Sequence, residues 1–146
     1  MDVMINDPTF GEMTYNRRWA KMENLSIFEK EWPIKIVAKA FSGKPISDAQ
    51  RDSYRWFTEN ASQIDKNMYD VASGYINENC HEFAEFWRGA RMVSAPSDLA
   101  QIITPKTVLF KQDGEVLVLF DCPWDEHGIA IQLRPVIEIG SQDMFL

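Results

Sequence analysis

The densest chemistry in this chain lies in one C-terminal run, Asp121-Cys-Pro-Trp-Asp-Glu-His-Gly128, followed by Ile129-Ala-Ile-Gln-Leu133 and Ile139-Gly-Ser-Gln-Asp143. Asp, Glu and His are the ligand types of catalytic zinc and non-haem iron, and carboxylate oxygens also suit magnesium or calcium. A catalytic metal needs about three converging ligands, an open position and partners that orient the histidine. The run has no His-x-His, no His-Glu-x-x-His and no repeated Asp-x-Asp loop. Two readings follow. One is a small metal-dependent hydrolase using Asp121, Asp125, Glu126 and His127. The other is a solvated acidic turn that joins two strands, with Trp124 folded back onto the core. The unspecific spacing favours the turn.

Other catalytic constellations are weaker. Cys80 precedes His81, but neighbours on a helix point about 100° apart, so a thiolate–imidazole pair between them is disfavoured. Cys80 with His127 would have to meet through the fold, and neither lies in a nucleophile motif. The glycines form no Gly-x-Gly-x-x-Gly, and no Walker lysine follows them, which argues against a nucleotide enzyme. No catalytic, cofactor-binding or metal-binding residue is assigned, and no enzyme is expected. Arg88 and Arg91 share a helical spacing beside Phe83, Phe86 and Trp87, a stripe that reads as core more readily than as a groove.

What remains is charge. The 146-residue chain carries 15 Lys/Arg against 22 Asp/Glu, a formal −7. Residues 1–46 hold seven bases against six acids, residues 47–100 five against nine, and residues 101–146 three against seven. The acidity therefore belongs to the C-terminal two thirds. Such a surface repels phosphate backbones, disfavouring direct nucleic-acid binding, and attracts a basic protein partner. Two acidic points stand out. Asp113 and Glu115 sit at an Asp-Gly tip, while Asp121, Asp125 and Glu126 surround Trp124 at the far end of the next strand, roughly 15–20 Å away. Charge alone fits solubility and partner binding equally.

The elements that position these residues read as strands, then helices, then strands. Glu12–Asn16, Trp19–Phe28 and Ile34–Phe41 alternate in part, with Arg17-Arg18 as a hairpin tip, Pro33 at a strand start and Gly43-Lys-Pro45 as a break. Ser47-Asp-Ala-Gln50 is a capping box opening a helix that carries Tyr54 and Phe57. After a break near Asn60, a second helix runs from Ala61 to about Ile76, with Ile64, Met68, Val71, Ala72 and Tyr75 on one face. Cys80–Met92 also has helical spacing, and Ser97–Ile102 reads as a short turn of helix. Val108–Phe110 and Val116–Phe120 flank Asp113-Gly114 as a hairpin, and Ile129–Leu133 makes a third strand. Val136–Ile139 is a fourth strand, or the third resumed after a bulge at Pro135. The order implies a single α+β domain over residues 1–146, with a largely antiparallel sheet and helices on one face.

Length and composition agree with one packed domain: 45% of residues are hydrophobic, with five Trp and nine Phe. Cys80 and Cys122 lie far apart without motif spacing and read as reduced thiols. The first residues lack both a basic and an apolar segment, so no signal peptide is expected, and no apolar window is long enough to span a membrane. A cytoplasmic monomer without a membrane partner is the expectation.

The pattern from Phe120 to Ile131, the closing Ile139-Gly-Ser-Gln-Asp143, the Asp-Gly hairpin before them and Gly43-Lys-Pro-Ile-Ser47 with its helix together resemble a bacterial family of small domains of unknown function. Domains of this type are similar to immunity proteins encoded beside polymorphic or contact-dependent toxins. The resemblance implies a protein that binds and neutralises one cognate toxin domain, for example a nuclease, without catalysis. An acidic blocker would mimic the phosphate substrate of a basic nuclease cleft. The partner-binding residues it points to are Asp113, Glu115, Asp121, Asp125 and Glu126, with Trp124 as an aromatic anchor.

Overall fold

A computed structural model describes residues 3–40 and 44–146. Eight strands form one sheet in sequence order: β1 (Val3–Asp7), β2 (Gly11–Tyr15), β3 (Trp19–Ile27), β4 (Lys30–Ala38), β5 (Thr104–Phe110), β6 (Val116–Cys122), β7 (Asp125–Arg134) and β8 (Glu138–Ser141). Every neighbouring pair is antiparallel except β4–β5, which is parallel. A parallel pair needs a long crossover connection. Here the crossover is the helical layer: α1 (Asp48–Glu59), α2 (Ala61–Phe83) and the short α3 (Pro96–Ala100). The chain is thus α+β, with its helices on one face of a largely antiparallel sheet.

Strand alternation supplies the inner face. Ile34, Ile36, Val108, Phe110, Val116, Val118, Phe120, Ile129 and Ile131 are all buried, and they meet Tyr54, Phe57, Ile64, Met68, Ala72 and Ile76 from the helices. The opposite face carries a smaller apolar cluster of Val37, Leu109 and Leu117, with Ala20, Leu119 and Phe145 partly buried beside it. A 3-10 turn, Gln142–Met144, brings Phe145 onto this second face.

The capping box at Ser47 is present in full: Ser47 Oγ accepts from Gln50 N, and Gln50 Oε1 accepts from Ser47 N at 2.8 Å. Gln50 does more than cap. Its fully buried amide donates to Lys39 O at 2.8 Å and to Phe110 O at 2.9 Å. It therefore ties the start of α1 to the ends of the parallel strands. At the other end of β4, Phe28 (φ 54°) and Glu29 (φ 62°) form a tight turn in which both residues are left-handed. Asn-Gly would adopt that turn with less strain. Asp65 of α2 holds it by accepting from Phe28 N at 3.0 Å. Burial, opposed by the Phe28 N–H and reinforced by the nearby Glu29 charge, pushes the Asp65 carboxyl above its ordinary value.

Several expectations change. Pro33 does not start a strand but lies within β4, opposite Asn24. The ladder tolerates it because β5 pairs with β4 only from Lys35 onward, leaving Pro33 on a free edge. The helix expected over Cys80–Met92 does not form. Instead α2 runs unbroken to Phe83, through the expected end at Ile76, and residues 84–95 return as an irregular segment. Gly89 weakens helix there, and Asn77 offers a competing partner, donating to Val93 O at 2.9 Å and accepting from Val93 N at 2.7 Å. Trp87 and Val93 are buried by this path, whereas Phe86 is left 71% exposed. The Asp-Gly hairpin loop is longer than two residues, since Lys111 N donates to Glu115 O and Gly114 N to Lys111 O, with Gly114 alone at positive φ (95°). Residues 136–139 do not resume the third strand: β8 is separate and pairs back along β7 from Glu138. β1 was not foreseen at all. Phe41 at the expected end of a strand, and Gly43 in the break after it, lie outside the described residues. Among the described residues no helix is long and apolar enough to cross a membrane.

Candidate functional site

The Asp121–His127 run is a tight turn followed by a wide bulge. Cys122 pairs with Asp125 across Pro123-Trp124, both at ordinary negative φ, and the next paired residues are Phe120 and Ile129. Glu126, His127 and Gly128 on β7 thus face the single residue Asp121 on β6. The surplus residues leave the ladder, so their side chains reach solvent.

Two residues lock the bulge. Gly128 holds φ 80°, and a Cβ there would lie 2.3 Å from Phe120 O and 2.6 Å from Gln142 Nε2. Gln142 in turn donates to Phe120 O at 3.2 Å and to Ile129 O at 3.4 Å. These are the glycine and glutamine of the C-terminal motif. Their task is structural: they hold open the bulge that displays Glu126 and His127.

Trp124 folds back. Its ring stacks on Phe83 at the end of α2, with centroids 4.3 Å apart and planes 7° from parallel, and tilts against Trp87 at 5.6 Å. It remains half-buried. Beside this aromatic group, Phe86 and Met92 are exposed, on a segment next to Glu82 and Glu85. Of the acids, Glu126 is the freest, its side chain 89% exposed with only His127 Nε2 at 3.6 Å. Asp121 stands 3.7 Å from Lys106 Nζ. Asp125 accepts from His127 N at 2.9 Å, a local turn bond rather than a ligand geometry.

The second acidic point lies at the opposite end of β6, as expected. There Glu115 pairs with Lys111 at 3.2 Å, and Asp113 accepts from Glu115 N at 3.0 Å. The tip does not stand free: Ser53 of α1 donates to Gly114 O. Arg134 lies 4.6 Å over the Trp56 ring and reaches Ser53 Oγ at 3.4 Å. The resulting cleft of about 440 Å³ holds Asp52, Asp113, Glu115 and Arg134, so its charges are mixed. Ser53 and Arg134 carry no local signal, because their meeting joins a helix to two distant strands.

The thiols are both free. Burial pushes Cys122 up to about 11, with only weak compensation from the Asp125 and Trp124 backbone and further upward pressure from Asp125 and Asp121. A thiol so shifted is a poor nucleophile at neutral pH. Among the described residues, no three His, Cys, Asp or Glu side chains are grouped to hold a metal ion. What the turn offers is a half-buried aromatic platform, rimmed by carboxylates and flanked by exposed apolar side chains. That arrangement can bind a protein surface.

No curated protein matches the chain, and no solved structure does. A family model described as a domain of unknown function, DUF6985, matches residues 9–146, and the chain belongs to that family.

Proposed function

We propose that this chain is a cytoplasmic immunity protein, a binding module that neutralises a basic toxin domain by contact and without catalysis. The observation that carries the reading is the composition of the β6–β7 turn. Trp124 is stacked in place by Phe83, Glu126 projects from the bulge with Asp121 facing it, and Phe86 is exposed on the segment between Phe83 and Trp87. A preset aromatic loses little side-chain freedom on binding, and carboxylates around it speed the approach of a cationic partner. The formal charge of −7 acts in the same direction at longer range.

The test starts from the product of the neighbouring reading frame, purified and titrated against this chain. A tight 1:1 complex should form, with an association rate that falls as salt rises from 50 to 500 mM, a range over which screening shortens by about threefold. Glu126→Lys combined with Asp121→Lys should slow association at least tenfold at low salt, while Phe86→Ser should chiefly speed dissociation. Salt-insensitive association, or a complex untouched by all three changes, would remove this surface from the interface.

A further inference from the structure

The sheet face away from the helices has a second character. Beside the part covered by Phe145, a groove of about 400 Å³ has Leu109 and Leu119 as its floor and Leu146 as a wall, with Arg17, Arg18 and Lys39 on its rim. An adjoining hollow of about 600 Å³ shares Arg17 and Arg18 and adds Lys35. No Asp or Glu lines either one. This is unexpected in a chain with seven more acids than bases. Among the described residues, neither Arg17 nor Arg18 is ion-paired, whereas Lys21, Arg51, Arg55, Lys106 and Lys111 all are. Arg17 also holds φ 69°, where Asn or Gly would sit with less strain, so the hairpin tip keeps an arginine against local preference.

We propose that this groove binds a small single-chain organic anion, its carboxylate or phosphate head held by Arg17 and Arg18 and its aliphatic tail laid along Leu109, Leu119 and Leu146. Charge complementarity selects the head: two exposed guanidiniums, with no Asp or Glu lining the groove, offer donors suited to a planar or tetrahedral anion. The apolar lining selects the tail, because a small inorganic anion would leave half-buried Leu119 and exposed Leu146 uncovered. The volume falls within the roughly 300–1,000 Å³ of small-molecule sites. A nucleic acid is disfavoured, since a long polyanion would meet the acidic remainder of the chain. Trp124 packs with the inner core, whereas Leu109 and Leu119 of the groove belong to the outer face of the sheet.

The experiment is isothermal titration of the full chain with decanoate and with decyl phosphate, each below its micellar concentration, with acetate and decan-1-ol as controls. Saturable 1:1 binding of at least one anion is expected, tighter than either control by at least tenfold. The tighter of the two identifies the head group. Arg17→Ala with Arg18→Ala, both at exposed positions, should weaken binding at least tenfold with an unchanged far-ultraviolet spectrum. Leu119→Gln should weaken it comparably, with an unchanged far-ultraviolet spectrum as its folding control. The proposal is overturned if neither anion saturates, if decan-1-ol binds as tightly as decanoate, or if the double arginine variant binds like the parent.

Discussion

At the scale of single residues, the chain's most conspicuous motif is a lock. Gly128 and Gln142 look in the sequence like parts of a functional signature, yet each fills a geometric need at the β6–β7 bulge. Gly128→Ala would add a Cβ at φ 80° and drive it toward a backbone oxygen 2.3 Å away, which cannot rotate aside. Left-handed strain and the clash together should cost about 3 kcal/mol or more. Urea unfolding at neutral pH would read this as a lower midpoint with an unchanged slope. A loss below about 0.5 kcal/mol would mean that the bulge relaxes freely and that Gly128 does not fix the display of Glu126. Cys122 points the same way: its half-buried thiol, pushed up to about 11, belongs to packing rather than to chemistry.

At the scale of elements, the connection between β4 and α1 matters most, because it seats the helical crossover on the only parallel pair of the sheet. Gln50→Ala would remove half of the capping box and leave Lys39 O without its amide donor in a buried site. The two losses together should destabilise by about 2–4 kcal/mol. Gln50→Glu should be worse, since it aims a charge at two carbonyl oxygens. Thermal melts of both variants check the order, and a melt for Gln50→Ala within a degree of the parent would show that the clamp is dispensable. Local chemistry made this region legible: the capping box, the Asn60 break, the Arg17-Arg18 tip and the alternation of β6 and β7 all follow from spacing. The remainder depends on distant partners. Phe28 reads as the end of a strand because nothing local shows that Asp65 holds its N–H. Cys80–Met92 reads as helix because Phe83, Phe86 and Trp87 have helical spacing, while the Asn77–Val93 pair that diverts the chain after Phe83 joins residues 16 apart. Of the acidic site, the positions of Asp113, Glu115, Asp121 and Glu126 were legible. The aromatic stack behind Trp124 and the outer-face groove were not.

At the scale of the molecule, charge is sorted by face and end: carboxylates gather at the β6–β7 turn, and guanidiniums at the outer groove. An ion pair whose acid is buried joins the N-terminal hairpin to the helical layer. Arg51 of α1 reaches Asp7 of β1 through Nε at 2.9 Å and Nη2 at 2.7 Å, while the other Asp7 oxygen accepts from Thr9 N and Phe10 N. Burial opposes ionisation of Asp7. The Arg51 hydrogen bonds, the Phe10 and Thr9 N–H groups and the Arg51 charge outweigh it, so the carboxyl is held below its ordinary 3.8. A carboxyl lowered on folding adds stability above its unfolded value, and that stability is lost as pH falls through the folded value. Asp7→Asn should therefore cost about 2–3 kcal/mol at pH 7, the scale of charge-assisted bonds lost from a buried site. The gap between variant and parent should begin to narrow near 3.8, where the unfolded chain protonates, and close below the lower folded value, where the parent loses the same charge. Urea midpoints taken at pH 7, 5, 4 and 3 would trace the convergence. A gap that stays constant across this range would mean that Asp7 contributes through shape and neutral hydrogen bonds alone, and that the sheet and helices are joined without this ion pair.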